Sequence, residues 1–149
     1  MARTSHPEAS GEPVEFVVER EVRFGDCDPA GIVFFPNYFR MLNCVVEDWW
    51  TAIGQPWRTM IGKRRLGTPT VRLDSEFVQP SFHGDVLRFH LTVEALGNAS
   101  LRVRHVATCS DGTRLRAEQW LVCTSLKTHQ STPWPDDVRQ AITRFMETT

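Results

Sequence analysis

Hydrophobic and polar positions alternate or recur in blocks along most of the chain. From Val14 to Gly25, Phe16, Val18, Val22 and Phe24 face one way and Glu19, Glu21 and Arg23 the other. That period of two predicts a strand half-buried on a core. The period then changes. Tyr38, Met41, Leu42, Val45, Val46, Trp49 and Ile53 recur at three- and four-residue steps, which predicts one long amphipathic helix over about 36–53. Pro36 suits a first helical turn and Gly54 a stop. Four further strands are predicted near Thr70–Val78, Val86–Leu96, Leu101–Thr108 and Arg114–Lys127. Gly97-Asn98 and Ser110-Asp111-Gly112 are hairpin turns between them. Residues 55–67 read as irregular. A short last helix carries Val138, Ile142 and Phe145, with Asp136 and Asp137 in its first turn.

Short turns between strands imply an antiparallel sheet. One helix with an apolar stripe must bury it on a sheet face. The fold class is therefore α+β: a five-stranded antiparallel sheet, one long helix and a short C-terminal helix. Residues 1–13 show no periodicity and read as a flexible tail, and 14–149 as a single domain.

Composition narrows the function. The chain has 149 residues, 17 basic against 18 acidic, and is 41% hydrophobic. A near-neutral balance gives no footprint for nucleic acid. No apolar run approaches the roughly 20 residues of a membrane span. The polar start has no apolar core of a secretory signal, so cytoplasmic placement is expected. Cys27, Cys44, Cys109 and Cys123 form no Cys-x-x-Cys pair, and neither a metal site nor a cofactor motif is expected.

The chemically pointed segment is Asp26-Cys27-Asp28-Pro29-Ala30-Gly31, just before the long helix. Three readings fit this string. An aspartate can cap its own backbone in a surface turn. Two carboxylates can hold a metal. A carboxylate beside the positive end of a helix can attack an acyl carbon or activate water, while the helix end holds the oxyanion.

The run Phe24-Gly25-Asp26-Cys27-Asp28-Pro29-Ala30-Gly31-Ile32-Val33, followed by Pro36-Asn37-Tyr38, closely resembles the signature of 4-hydroxybenzoyl-CoA thioesterases of the hotdog fold. Pro56-Trp57-Arg58, Gly67-Thr68-Pro69, Phe77-Val78, Asp85-Val86-Leu87 and Arg104-His105 extend the likeness over about residues 20–127. The resemblance implies a sheet wrapped around one long helix, a homodimer with a continuous sheet and a homotetramer built from two such dimers. It also implies an acyl-CoA substrate. Asp28 matches the family's nucleophile or general base, and the Phe35 backbone N–H the donor that polarises the thioester carbonyl. Asp26 takes a structural role in the turn. Asn43 stands where the family carries the aspartate associated with the substrate 4-hydroxyl. Phe34, Phe35 and Trp57 are of the type that lines an apolar acyl pocket, and Thr68 of the matching run is a further candidate for substrate binding. The family's basic triplet is replaced by Gly97-Asn98-Ala99, so the CoA phosphates would fall to Lys63, Arg64, Arg65, Arg102 or Arg104. That change keeps a carrier-protein thioester open as a substrate. Hydratase or dehydratase chemistry on the same fold, and non-catalytic binding of acyl thioesters, also stay open.

Overall fold

The computed structural model describes residues 13–147, so the tail expected over residues 1–13 lies, but for Pro13, outside the described residues. The elements run β1 (Phe16–Glu21), α1 (Phe35–Ala52), α2 (Trp57–Gly62), β2 (Leu66–Gly67), β3 (Thr70–Phe77), β4 (Val86–Leu96), β5 (Ser100–Cys109), β6 (Gly112–Val122), β7 (Thr124–Ser125) and α3 (Asp136–Glu147). The five long strands form one antiparallel sheet in the order β1-β4-β5-β6-β3.

Alternation decides which face is covered. Leu87, Phe89 and Leu91 of β4, Leu101, Val103 and Ala107 of β5, and Leu115, Ala117 and Leu121 of β6 are buried in one cluster. The stripe of α1 joins the same cluster through Tyr38, Met41, Leu42, Val45, Val46, Trp49 and Trp50. At 1.5 Å per residue α1 is about 27 Å long and spans the sheet. Trp49 and Trp50 are fully buried and meet Phe145 at 5.6 Å and Trp134 at 5.8 Å, so α3 and the segment before it cover the far end of α1.

The irregular segment expected over 55–67 contains α2 and β2. A six-residue helix and a two-residue strand are too short to leave a period. The last strand, expected to reach Lys127, ends at Val122. There Val122 N–H reaches the carbonyl of Pro69. Proline has no N–H to extend the ladder, and the chain turns off to pair β7 with β2.

Candidate active site

The Asp26–Asp28 segment folds back on Ile32–Phe34. Asp28 N–H donates to Ile32 O, Cys27 and Val33 form a bridge, and Phe34 N–H donates to Asp26 O. Asn37, in the first turn of α1, donates its amide to the same Asp26 carbonyl at 2.9 Å. The loop is thereby fastened to the helix start. Gly31 sits at φ 83°, and its N–H returns to Asp28 O, closing the turn. Only glycine takes that conformation without strain.

The two aspartates divide their roles. Asp26 Oδ2 accepts from Arg23 N–H at 2.8 Å, a structural use. Asp28 Oδ1 accepts from Ala30 N–H at 2.9 Å. Its Oδ2 has no partner among the described residues. One oxygen is anchored and the other is open, and the half-buried residue remains reachable. At the helix start, Phe34 has extended backbone, Pro36 has no N–H, and Asn37 N–H is used by Phe34 O. Phe35 N–H has no partner among the described residues, so it is the open donor of the first turn and sits at the positive end of an 18-residue helix.

Beside that amide lies a cavity of about 660 Å³, lined by Ile32, Val33, Phe35, Tyr38 and Phe77 to Pro80. Its wall hangs on a buried cation. Arg114 is 4% exposed and donates to Pro80 O at 2.8 Å, Ser81 Oγ at 3.2 Å, Asp85 Oδ2 at 2.9 Å and Asp111 Oδ1 at 2.6 Å. Ser81 Oγ also accepts from Tyr38 O–H at 2.8 Å, and Ser81 O from Val33 N–H. Burial opposes the charge of Arg114, but its bonds to Asp111 and Asp85 outweigh burial and hold its pKa above the ordinary value. Phe82 N–H and then Arg114 hold the Asp85 carboxyl below the usual range. Burial raises the Tyr38 pKa, which keeps it a donor to Ser81.

Asn43, Trp57 and Thr68 meet in a second cavity of about 300 Å³, with Thr70, Gln119 and Leu121 among its other walls. Phe34 does not join it: exposed at the helix start, it packs edge-on against Phe35 at 5.5 Å. The candidate cations separate. Lys63 and Arg65 are exposed. Arg64 is bound through both terminal nitrogens to Asp137 of α3, at 2.7 and 2.9 Å. Arg102 and Arg104 leave β5 on the face opposite α1. There Arg102 lies over Trp120 and pairs with Glu118 at 2.9 Å, and Arg104 lines a surface groove with Arg116. Among the described residues no group of three or more His, Cys, Asp or Glu could hold a metal, and no helix is long and apolar enough to cross a membrane.

Several pocket residues escape a reading of the sequence. Phe77, Val78 and Pro80 lie where β3 ends; Phe77-Val78 belongs to the runs that carry the family likeness, but no period in the chain marks the three as a pocket wall. Gln119 does leave a signal: it is a polar residue on the inward alternation Leu115, Ala117, Gln119, Leu121.

Comparison with known proteins agrees with this fold. A 4-hydroxybenzoyl-CoA thioesterase from Pseudomonas sp. (strain CBS-3) is 37% identical over 90 residues, 59% of this chain, and that match spans 64% of the relative's length. A 1,4-dihydroxy-2-naphthoyl-CoA hydrolase from Acaryochloris marina (strain MBIC 11017) is 30% identical over 85% of this chain and 94% of its own. The solved structure of the Pseudomonas enzyme superimposes with a TM-score of 0.79 at 28% identity, over 85% of this chain and 98% of that one. Residues 22–142 match the thioesterase-like superfamily, and with this hotdog architecture around it the chain belongs to that superfamily.

Proposed function

We propose that this protein hydrolyses acyl-CoA thioesters to free acid and CoA, with an aromatic, 4-hydroxybenzoyl-like or short acyl group. One observation carries the reading: a carboxylate with an open oxygen, Asp28 Oδ2, stands by the turn of the short hairpin whose second arm runs directly into an open helix amide, Phe35 N–H. Ile32, opposite Asp28, is three residues before Phe35, about 10 Å of extended chain. An attacking oxygen about 3 Å from a carbonyl carbon, a C=O of about 1.2 Å and a hydrogen bond of about 3 Å span most of that gap.

The thioester oxygen accepts from Phe35 N–H, which withdraws charge from the carbonyl as the oxyanion develops. Asp28 then acts in one of two balanced ways. It attacks the carbon and expels the CoA thiolate, which takes a proton from water; a second water hydrolyses the anhydride. Alternatively it takes a proton from a water whose oxygen attacks the carbon; the C–S bond then breaks, and the CoA thiolate leaves with the proton that Asp28 held. The acyl group enters the Asn43, Trp57 and Thr68 cavity, a reading supported by the hydroxylated aromatic acyl groups of the two relatives. Phe34, exposed beside Phe35 at the helix start, lies outside that cavity. Lys63 and Arg65 carry the loop charge available to CoA phosphates, since Arg64 is engaged by Asp137. Arg102 and Arg104 serve only a phosphate that approaches the outer sheet face.

The assembly we infer is a homodimer through the β3 edge, paired into a homotetramer. β3 is an edge strand, and Val71, Phe77, Val78 and Phe82 on and after it are 37–63% exposed. Such an edge invites pairing. A carrier-protein thioester is the second reading, favoured by the turn at Gly97-Asn98-Ala99. Arg139 of α3 is bonded to that turn, through the Gly97 and Asn98 carbonyls. Hydratase chemistry would want a histidine on Asp28. His105 is bonded to Gln119 and His83 packs on Phe24, so neither supplies one.

The test is thiol release from benzoyl-, hydroxybenzoyl-, phenylacetyl- and short aliphatic CoA esters, with Asp28→Asn alongside. Turnover should fall at least about 100-fold in the variant with the circular dichroism unchanged. Equal activity in both proteins would make Asp28 a turn residue and sink the assignment. An intact CoA ester that binds but is never cleaved would mark a binding module.

A further inference from the structure

Gln119 stands at an inward position of β6, 7% exposed, between apolar neighbours. A buried amide has to be satisfied, and two partners satisfy it here. Its Nε2 donates to Thr70 Oγ1 at 2.8 Å, and its Oε1 lies 2.9 Å from His105 Nε2. His105 is fully buried, and burial pushes its pKa down to about 4, so the ring is neutral near pH 7. Its Nδ1 has no partner among the described residues. A bare ring nitrogen is cheaper to bury than an unpaired N–H, which assigns the proton to Nε2 as donor to Gln119 Oε1. The Gln119 carbonyl is then engaged by the ring, and of the two amide hydrogens one is left over. Gln119 lines the 300 Å³ cavity beside Asn43, Trp57 and Thr68, and no charged side chain lines it. Trp57 is a wall residue of the same cavity, and its Nε1–H is buried without a partner among the described residues.

We propose that Gln119 is a specificity-determining residue whose free N–H reads an oxygen on the acyl group, and that His105 is a positioning residue that holds the Gln119 amide in the donating orientation. The wall offers the free Gln119 N–H beside the Asn43 amide and the Thr68 hydroxyl, and no charge. It therefore suits a neutral hydroxyl on a ring, such as a phenol, and supplies no carboxylate to balance an ammonium group. This assignment rests on the acyl-CoA thioesterase reading of the protein. Thr70 supports the same orientation from the second strand, and the His105 ring blocks the amide from turning over.

The experiment is the ratio of kcat/KM for the best of the three hydroxybenzoyl-CoA isomers to that for benzoyl-CoA. A ratio cancels any loss of folded enzyme. Wild type should prefer the hydroxylated ester by about tenfold or more, the scale of one buried hydrogen bond. Gln119→Met, of similar volume, should bring the ratio to within about twofold of unity. His105→Leu should lower it in the same direction, and His105→Gln, which returns a donor near the Nε2 position, should restore it. A wild-type ratio near unity, or one that survives Gln119→Met, overturns the proposal while leaving the thioesterase reading intact. No turnover of any ester by wild type overturns both. A ratio lost equally in His105→Leu and His105→Gln removes His105 from the proposal.

Discussion

Replacing Arg114 by Met takes one cation out of a site that four acceptors share. The guanidinium is nearly sealed, while the Asp85 side chain is 27% exposed and that of Asp111 61%. The two ion pairs therefore differ in worth. Asp111 can return to water when its partner goes, so its share stays below about 1 kcal/mol. Asp85, Ser81 Oγ and Pro80 O lose a donor in a dry setting, and breaking a buried pair from one side costs about 3–5 kcal/mol. Solvent at Asp85 favours the low end, about 3 kcal/mol, or a fall of about 6–12 °C in Tm for a domain of this length. Ser81 holds both Tyr38 and Val33, so kcat should fall in the fraction that remains folded. The assay is urea and thermal unfolding of Arg114→Met and Asp111→Asn beside wild type, with thiol release on each. Asp111→Asn should cost less than about 1 kcal/mol. A Tm shift under about 2 °C for Arg114→Met, or equal losses in the two variants, would refute this division between a sealed pair and a solvated one.

Phe35→Pro deletes one N–H at a helix position that accepts proline. It should cut kcat/KM about 100- to 1,000-fold, whereas Phe35→Ala, which keeps the amide, should cost far less; equal losses would take the electrophile away from that amide. The neutral His105 makes stability pH-dependent. Its pKa is about 4 in the fold against 6.5 for the free side chain, so on acidification the unfolded chain takes up the proton first. Stability should be full above about pH 6.5 and decline by about 3 kcal/mol towards pH 4. His105→Gln should flatten that slope in urea midpoints measured at pH 7, 5.5 and 4.5. Asp85 and Asp137, both held below 3.8, lose their stabilisation only at lower pH. A flat wild-type profile would mean that His105 is not buried neutral.

The features legible in the chain alone are those that repeat. The β4 strand is predicted at its observed bounds, and α1 within a residue at each end, because every second or every third to fourth side chain meets the same core. His105 shares the inward face with Leu101 and Val103, so its burial follows from the same arithmetic. Asp28 stands out by the unusual string around it. Polar groups whose partners are distant in sequence leave no such trace. Arg114 alternates with Leu115 as Arg116 and Glu118 alternate with Ala117 and Gln119, and nothing local separates it from those outward charges. It is buried because the Pro80–Asp85 segment, some 30 residues earlier, closes over the start of β6. Arg64 is one of three adjacent cations, and only Asp137, 73 residues away, distinguishes it. Hydrophobic burial is non-directional and tolerates any partner of suitable size, so it writes itself as a period. A buried hydrogen bond needs one donor and one acceptor at about 2.9 Å, and that pairing exists only after the chain has closed. The candidate aspartate is therefore legible in one dimension, whereas the groups that shape the pockets around it, Arg114, Ser81 and the oriented Gln119, become visible only in three.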